Sequence, residues 1–570
     1  MTASHLAAAA QAAQQQFQKI SDQYFDQFYF PNLPTYGTLV GYHPYDTQLE
    51  DYSRKSIDAA VANLKQYESR IAAIPAAELD VTTQGDRDLI LNSIHSQLLT
   101  LEVIRPWEKN ADNYSSGITS SAFALMERKF APPEDRLRSL IAREKLMPSR
   151  LDEARANLKN PPRIFTEIAI EQLPGIVSFF QHDVPAAFTD VKDPALNAEF
   201  ARTNAAVIEA LNSYQEWLKM DLLPRSNGDF RIGAETFSKK LQYDEMVDLS
   251  LDKLLEIGWA DLRKNQQHFN QIAKELEPNK TATEVLAELG SNHPAPDELI
   301  PSFRATFDGL VGFIHSHHIV TLPSPVRPIV EETPPFMRAT TTASMDTPGP
   351  FETHATEAYF NVTLPDPSMT PAEIDGYLHS FNIGTVISTA VHEAYPGHYV
   401  QFLWIPRAPS RTRKLLGANT NAEGWAHYCE QMMLDQGYGQ PGAGAKDERE
   451  AKFLRLGQLQ DALLRNARFI AGIEMHTGKM TMDQAIEFFQ KEGYQSKELG
   501  EVEAKRGAGD PTYLYYTLGK LEIMKLREDM KKKQGAAFSL EQFHDDFLRQ
   551  GFPPIKIVRR AMLGDDSPVL

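Results

Sequence analysis

The chain contains the stretch Val391-His392-Glu393-Ala394-Tyr395-Pro396-Gly397-His398-Tyr399-Val400-Gln401. A histidine followed directly by a glutamate, with a second histidine close behind, is typical of a catalytic zinc site. Neutral imidazoles bind Zn²⁺ well, and a glutamate beside the first ligand can deprotonate the water on the metal. Residues 381–390, just before this stretch, are small and apolar. They predict a buried helix that carries His392 and Glu393 into an interior site.

The spacing of the two histidines is unusual. His392 and His398 are six positions apart (398 − 392 = 6), whereas the common His-Glu-x-x-His motif places its histidines four apart on one helix face. On an ideal helix a spacing of six would separate the side chains by roughly 240°. Both can reach one metal ion only if the turn is distorted, and Pro396-Gly397 is a plausible cause. The alternative is a His-Glu pair at a helix end that holds no metal.

A second polar stripe follows in residues 421–433. Glu423, His427 and Glu430 are spaced i, i+4 and i+7, so they lie along one side of a helix. The neighbouring positions, among them Trp425 and Met432, leave little other polar surface. This pattern favours a carboxylate metal ligand, Glu423, with His427 and Glu430 as partners that orient the histidines. The alternative is an ordinary amphipathic helix with polar pairs.

These motifs together resemble a known bacterial family. The segment His392-Glu393-Ala394-Tyr395-Pro396-Gly397-His398, followed by Glu423-Gly424-Trp425-Ala426 and Glu430, is similar to the family called domain of unknown function 885. That family resembles the gluzincin metallopeptidases, the group of thermolysin, angiotensin-converting enzyme and oligopeptidase relatives. In gluzincins a glutamate a couple of dozen residues beyond the second histidine completes the site, and here 423 − 398 = 25. The resemblance implies one Zn²⁺ per chain on His392, His398 and Glu423, with Glu393 as general base.

The C-terminal part offers further candidates. Tyr516-Thr517-Leu518-Gly519-Lys520 resembles a motif of the same family, and a tyrosine hydroxyl near zinc can donate to the oxyanion formed when water attacks a carbonyl. Tyr516 is the candidate for that role. Arg506 or Lys520 could bind the C-terminal carboxylate of a substrate, and His476 is a candidate for substrate contact. The alternatives are core packing for the tyrosine, surface ion pairs for the cations, and a capping or core role for His476.

The whole sequence predicts a mainly α-helical fold. Amphipathic segments recur at residues 11–28, 56–74, 84–103, 136–145, 151–158 and 448–473. Between about residues 293 and 371 prolines become frequent, and β-prone pieces at 318–321 and 358–362 predict a small sheet near the zinc helix. We expect one gluzincin-like body over residues 1–570, with a helical lobe over about 1–290 and a lobe with the zinc motifs over about 291–570, around a deep cleft.

One strand of the predicted sheet is a candidate substrate contact. Tyr359-Phe360-Asn361-Val362-Thr363 would be an edge strand that holds a substrate backbone by strand addition, as in gluzincin-like sites, with Tyr359 as a binding residue. The alternative is an irregular connector on the surface.

The composition and net charge of the chain argue against some classes of binding partner. Of 570 residues, 42% are hydrophobic and 24% charged, which is ordinary for a soluble globular protein. The net charge of −18 argues against nucleic acid or an anionic membrane surface as a partner. The single cysteine, Cys429, excludes an intramolecular disulfide. No window approaches the roughly 18 apolar residues of a membrane span.

The compartment and the oligomeric state stay open. Residues 1–15 lack the basic start and apolar run of a signal peptide. Relatives in the resembled family are often exported, so a periplasmic or secreted location is one expectation. It would require that a signal peptide had been removed from this chain.

The function expected from these observations is zinc-dependent hydrolysis of peptide bonds, of short peptides in a carboxypeptidase-like or dipeptidase-like mode. Glu393 would assist the attack of zinc-bound water. Two alternatives remain: a zinc hydrolase of non-peptide amides or esters, and a catalytically inactive binding protein.

Overall fold

The computed structural model describes residues 3–334, 337–338 and 341–570, with side chains from residue 8 onward. The chain forms two compact units. The first comprises residues 3–230, 337–338 and Pro348–Glu357, and the second comprises Arg231–Pro334, residues 341–347 and Ala358–Leu570. Regular structure is almost entirely α-helical in both units, which confirms the prediction of a mainly α fold. The predicted cleft between two lobes stays a prediction.

Within the first unit, residues 111–222 form helices whose apolar faces meet in one core. Leu137, Leu140, Leu151 and Leu211 are fully buried there, and burying each such side chain contributes about 1.5–3 kcal/mol. The helices of the whole unit are α1 (Ala3–Tyr24), α2 (Phe30–Asn32), α3 (Pro34–Leu39), α4 (Arg54–Ala72), α5 (Val81–Leu98), α6 (Pro106–Lys109), α7 (Asp112–Met126), α8 (Pro133–Glu144), α9 (Met147–Asn157), α10 (Arg163–Ser178), α11 (Val184–Ala187) and α12 (Pro194–Trp217). The segments predicted at 11–28, 56–74, 84–103, 136–145 and 151–158 are therefore helical over most of their lengths.

The second unit holds every candidate site residue. Its helices are α13 (Gly233–Glu245), α14 (Leu251–Leu276), α15 (Ala282–Gly290), α16 (Leu299–Ser316), α17 (Pro371–Leu378), α18 (Ile383–Glu393), α19 (His398–Trp404), α20 (Arg411–Leu415), α21 (Asn419–Asp435), α22 (Glu448–His476), α23 (Met482–Lys491), α24 (Lys497–Gly509), α25 (Tyr515–Gln534), α26 (Leu540–Leu548) and α27 (Ile555–Leu563). The long helix predicted at 448–473 is α22.

The boundary between the units lies at Phe230, whereas the sequence analysis places the boundary between the two lobes near residue 290. Helices α13, α14 and α15 belong to the second unit. The reason is packing: Leu262 and Phe269 of α14 share a core with Leu456 and Leu463 of α22. No helix among the described residues combines the length and the apolarity needed to cross a bilayer.

A small sheet precedes the helix that carries His392, as predicted. Strands β1 (Ile329–Glu332), β2 (Ala343–Asp346) and β3 (Tyr359–Val362) lie in the order β1-β3-β2, and a two-stranded ribbon of β4 (Gln440–Pro441) and β5 (Gly444–Ala445) follows later. Strand β3 pairs in parallel with β1 and antiparallel with β2.

Two details of the strand prediction are wrong. Strand β3 is the central strand, so both of its edges are already hydrogen-bonded and it cannot add a substrate strand. Residues 318–321 are not a strand, because Ile319 and Val320 are buried in the core without a neighbouring strand and Thr321 bonds instead to Asp545.

Candidate metal centre

Helix α18 delivers the first two candidate residues to the interior. The side chain of Asn382 caps the helix by accepting hydrogen bonds from the backbone N–H groups of Gly384 and Thr385, at 3.0 and 3.1 Å. Eleven residues later the helix ends at His392 and Glu393, which are only 5% and 8% exposed. The carboxylate of Glu393 makes no hydrogen bond or ion pair with any residue that the structure describes, so it is available to accept a proton.

A tight turn at Pro396-Gly397 explains the spacing of six between the histidines. Helix α18 stops at Glu393, and the short helix α19 begins at His398. The N–H of Gly397 donates to the carbonyl oxygen of Val391 at 3.0 Å, which folds the chain back onto the end of α18. A Cβ at Gly397 would lie 1.8 Å from the carbonyl oxygen of His392, so only glycine fits. The turn brings the rings of His392 and His398 to 4.8 Å between centroids.

Helix α21 supplies the third candidate ligand. It crosses α25 where Gly424 and Gly519 meet, since a Cβ on Gly519 would lie 1.9 Å from the carbonyl oxygen of Thr420. The carboxylate of Glu245, from α13, accepts hydrogen bonds from the first backbone N–H groups of α21, those of Asn419 and Thr420, at 3.2 and 2.8 Å. Packing and capping together therefore hold the first turns of α21, where Glu423 lies.

The three candidate ligands converge. The Nε2 atoms of His392 and His398 each lie 3.3 Å from the same oxygen, Oε2 of Glu423. One ligand atom from each of the three residues lies within 4.8 Å of the others, as a shared metal ion requires. Two nitrogens and a carboxylate oxygen are the donor set of many catalytic zinc sites, which keep a fourth position open.

A second layer of side chains orients His392. Oε1 of Glu430 accepts a hydrogen bond from Nδ1 of His392 at 2.7 Å and also lies 3.2 Å from Nη2 of Arg465, and Oε2 accepts from Nδ1 of His427 at 3.0 Å. Because Nδ1 of His392 carries the donated proton, a neutral ring presents a lone pair at Nε2. A lone pair and a carboxylate oxygen at 3.3 Å repel each other unless a proton or a metal ion lies between them, so the residues fit a metal.

The pKa values agree with this arrangement. Burial alone would lower the pKa of His392, but its contacts with Glu423 and Glu430 raise it to about 9. Burial would raise the pKa of Glu430, but Arg465 and the two histidines hold it well below its usual value. Burial lowers the pKa of His427 to about 4, so this ring is neutral. The metal-free site therefore holds a proton on His392 that a metal ion would replace.

Tyr516 and three arginines lie beside the candidate ligands. The Tyr516 ring stacks 6.3 Å from that of His392, and the guanidinium carbons of Arg465, Arg468 and Arg506 lie 5.6, 5.0 and 5.8 Å from its centroid. Its hydroxyl accepts a hydrogen bond from Arg506 at 2.9 Å, so the hydroxyl proton can be donated elsewhere. Burial and the charge of Glu423 raise the pKa of Tyr516, which keeps it a neutral donor.

Arg506 differs from the two other arginines in its charge balance. Arg465 is paired with Glu430, and Arg468 forms two hydrogen bonds with Glu503, at 2.6 and 2.7 Å. Arg506 donates to Tyr516 and has no ion pair within the described part of the chain. A half-buried guanidinium without a carboxylate partner favours an anionic ligand.

The comparison with protein families agrees with the motifs. The chain matches the family of bacterial proteins of unknown function designated DUF885 over residues 34–562. It belongs to this family. No curated protein matches the chain at a significant level.

Two solved structures share the DUF885 fold of this chain. A protein from Shewanella oneidensis, described as a candidate lipoprotein of unknown function, is 27% identical with a TM-score of 0.78, over 96% of this chain and 99% of that one. A candidate lipoprotein from Colwellia psychrerythraea is 18% identical with a TM-score of 0.79, over 98% of this chain and 99% of that one. The second similarity concerns the fold alone.

Three candidates of the DUF885 chain are placed in other surroundings. Lys520 is buried, and its ammonium group donates to the Asp261 carboxylate at 3.2 Å. His476, at the end of α22, is buried; its Nε2 donates to the carbonyl oxygen of Gly507 at 2.8 Å, and its ring packs near Phe237. These contacts are those of a core histidine. Tyr359 begins the central strand β3, opposite Ile329 and Asp346.

Sequence reasoning missed two residues next to the ligands. Both Arg465 and Asp461, one turn earlier, lie on the predicted helix 448–473, and no sequence motif singles either of them out. The Arg465 guanidinium lies 3.7 Å from Asp461, whose pKa burial raises to about 6. An i, i+4 acid–base pair on a helix looks like a surface pair in sequence, and only the packing of α18 against α22 buries this one.

Proposed function

We propose that this DUF885 protein is a zinc-dependent hydrolase that cleaves peptide bonds in short peptides. The observation that carries the proposal is the convergence of two imidazole nitrogens on one carboxylate oxygen, each at 3.3 Å, with Glu430 behind the first imidazole. The similarity of this ligand set to that of the gluzincin metallopeptidases supports the choice of reaction.

Each residue would have a separate task. Zn²⁺ held by His392, His398 and Glu423 would act as a Lewis acid toward water and toward a peptide carbonyl. Glu393 accepts a proton from the attacking water and passes it to the leaving amine. Tyr516 donates a hydrogen bond to the carbonyl oxygen as negative charge develops there.

The surroundings favour small, anionic substrates. His392, Glu393 and His398 are 5%, 8% and 9% exposed, so a bulky folded protein could not reach them. Arg506, which forms no ion pair with any of the described residues, would bind the free C-terminal carboxylate of a peptide. A carboxypeptidase-like or dipeptidase-like action follows from these two features. A periplasmic or extracellular location would agree with the description of the Shewanella relative, and cell fractionation would test it.

The proposal is tested by zinc content and turnover in matched variants. His398→Ala and Glu423→Ala should each hold one zinc per chain less than the wild type, because each removes a ligand. Glu393→Gln should keep that zinc and lose at least ~10²-fold in activity, because it removes only the base. Short peptides with free and with amidated C-termini serve as substrates, and Arg506→Gln should lose the preference for the free carboxylate.

Three other results would contradict the proposal or favour one of its alternatives. Wild-type hydrolysis by Glu393→Gln would exclude the mechanism. Turnover of amide-bearing metabolites or esters, but not of peptides, would assign the site to another substrate class. Zinc binding without any turnover would support a binding protein.

A further inference from the structure

A second group of metal-type side chains lies in the same unit. Nε2 of His293 is 3.3 Å from Oδ1 of Asp375, and Nε2 of His379 is 3.3 Å from Oδ2 of the same carboxylate. The two imidazole rings are 5.7 Å apart between centroids. One ligand atom from each of the three residues lies within 4.8 Å of the others, as is also true of the first site.

The orientation of His293 is already fixed for metal binding. Its Nδ1 lies 2.8 Å from the carbonyl oxygen of Pro294, which can only accept, so Nδ1 carries a proton. When the ring is neutral, its Nε2 lone pair faces the Asp375 carboxylate at 3.3 Å, and two facing acceptors require a proton or a metal ion between them. A backbone carbonyl that orients the remote nitrogen is the usual second partner of a histidine metal ligand.

The backbone holds the three residues in place from two segments. Asp375 and His379 are four positions apart at the end of α17, and the N–H of His379 donates to the carbonyl oxygen of Asp375. His293 follows α15, whose last residue, Gly290, lets the His379 ring approach: a Cβ there would lie 3.1 Å from the ring. A hydrogen bond of 3.0 Å from Ile383 to the carbonyl oxygen of Asn292 ties the segments together.

We infer that His293, Asp375 and His379 form a second metal site, which binds a divalent transition-metal ion such as Zn²⁺. Two imidazoles and one carboxylate suit zinc, and they leave a fourth position for water. The side chains of His293, Asp375 and His379 are 13%, 64% and 41% exposed, so an ion can enter from solvent.

The ion would link two segments that are far apart in sequence. It would join the loop after α15 to the segment that leads directly into α18, the helix that ends at His392 and Glu393. Over its 11 residues α18 is about 16 Å long, so the second ion lies too far away to take part in chemistry at the first. Its role is to stabilise the start of α18, and the inference does not depend on the proposed hydrolase activity.

Titration of the chelator-treated full chain with Zn²⁺ alone tests the inference. The wild type should bind two zinc ions per chain. His379→Asn and Asp375→Asn should each bind one fewer, or bind the second ion at least tenfold more weakly. The double variant His398→Ala, Glu423→Ala should keep the second ion, which separates this test from that of the first site.

A matched control tests whether removal of any exposed histidine would lower the number of zinc ions bound. His318 lies 3.5 Å from Glu541 in an exposed histidine–carboxylate pair outside both candidate groups. His318→Asn should bind as many zinc ions as the wild type. The inference is overturned if His379→Asn and Asp375→Asn both bind zinc like the wild type, or if the wild type binds a single ion that the double variant loses.

Discussion

At the scale of single residues, Gly397 decides whether the candidate metal centre can form. The carbonyl oxygens of Val391 and His392 both crowd the place where a side chain would begin, at 2.4 and 1.8 Å. No rearrangement of a flexible side chain can relieve this, because both obstructing atoms belong to the backbone. The turn that returns His398 to His392 therefore depends on the absence of a single methyl group.

Gly397→Ala should prevent the turn. We expect the free energy of unfolding to fall by roughly 3 kcal/mol or more, because backbone has to move to admit the methyl group. Zinc at the first site should be lost, because His398 can no longer face His392. Urea unfolding and elemental analysis measure the two effects.

The control for this substitution is Gly376→Ala in α17. A Cβ at Gly376 meets no atom within 4 Å, and alanine favours a helix by about 1 kcal/mol relative to glycine. Gly376→Ala should therefore keep its zinc and unfold at the same or a higher urea concentration. An equal loss of zinc in both variants would show that disruption of the turn at Pro396-Gly397 is not the cause of the zinc loss.

At the scale of elements, α21 is positioned by a residue from another helix. Glu245 lies at the end of α13, and its carboxylate accepts from two backbone N–H groups and from the Thr420 hydroxyl at the start of α21. The first N–H groups of a helix have no partner within it, so a buried start of a helix needs such an acceptor. Glu423 lies in the turn that follows.

Glu245→Ala should weaken both the fold and the metal centre. Buried donors left without an acceptor cost about 1–3 kcal/mol of unfolding free energy. We also expect zinc affinity at the first site to fall by about tenfold or more, since a displaced Glu423 is a poorer ligand. Competition with a chromophoric chelator measures the affinity.

Glu235, on the same helix α13, provides the comparison. Its side chain is 83% exposed and pairs with Lys239. Glu235→Ala should change the unfolding free energy by less than about 0.5 kcal/mol and leave zinc affinity unchanged. If Glu245→Ala binds zinc at the first site as tightly as the wild type does, the Glu245 carboxylate does not position Glu423.

At the scale of the whole molecule, a buried acid in the first unit links stability to pH. Glu144 is fully buried; one oxygen accepts from the Thr203 hydroxyl, and the other makes no hydrogen bond to the described residues. Burial raises the pKa of Glu144 to about 8, from an ordinary value of 4.5. Between these two values the folded chain keeps a proton that the unfolded chain releases. Raising the pH through this window therefore favours unfolding.

Glu144→Gln should remove this dependence. The variant and the wild type should have similar stability near pH 5, and at about pH 8.5 the variant should be more stable by on the order of a few kcal/mol. Urea unfolding at the two pH values provides the measurement. If the difference in unfolding free energy between Glu144→Gln and the wild type does not grow with pH, the Glu144 carboxyl is not held protonated.

Local patterns account for most of the fold class and for the choice of candidate ligands. The amphipathic helices α4 and α8 follow from apolar residues repeated at helical intervals, a property of neighbouring positions. His392, His398 and Glu423 were inferred from their chemistry and their resemblance to a family, and the structure brings their ligand atoms within 4.8 Å. The i, i+4, i+7 stripe of α21 likewise predicted Glu430 behind His392.

Other features depend on contacts between segments far apart in the chain. Strand β3 was expected at an edge, but β1 and β2 cover both its sides. Arg465 reaches Glu430 only because α22 packs against α18 and α21. His293 joins Asp375 and His379 across 82 positions (375 − 293 = 82), and no local pattern relates them.

By itself, the sequence determined the helical class of this DUF885 protein, the family to which it belongs and the residue types of one candidate metal centre. These depend on side-chain chemistry and on periodicities within a few turns of helix. The tertiary structure decided how two candidate ligands six positions apart can face each other, which second layer of side chains holds them, and where a second ion would bind. Those outcomes depend on steric exclusion and burial, which arise only when distant segments pack.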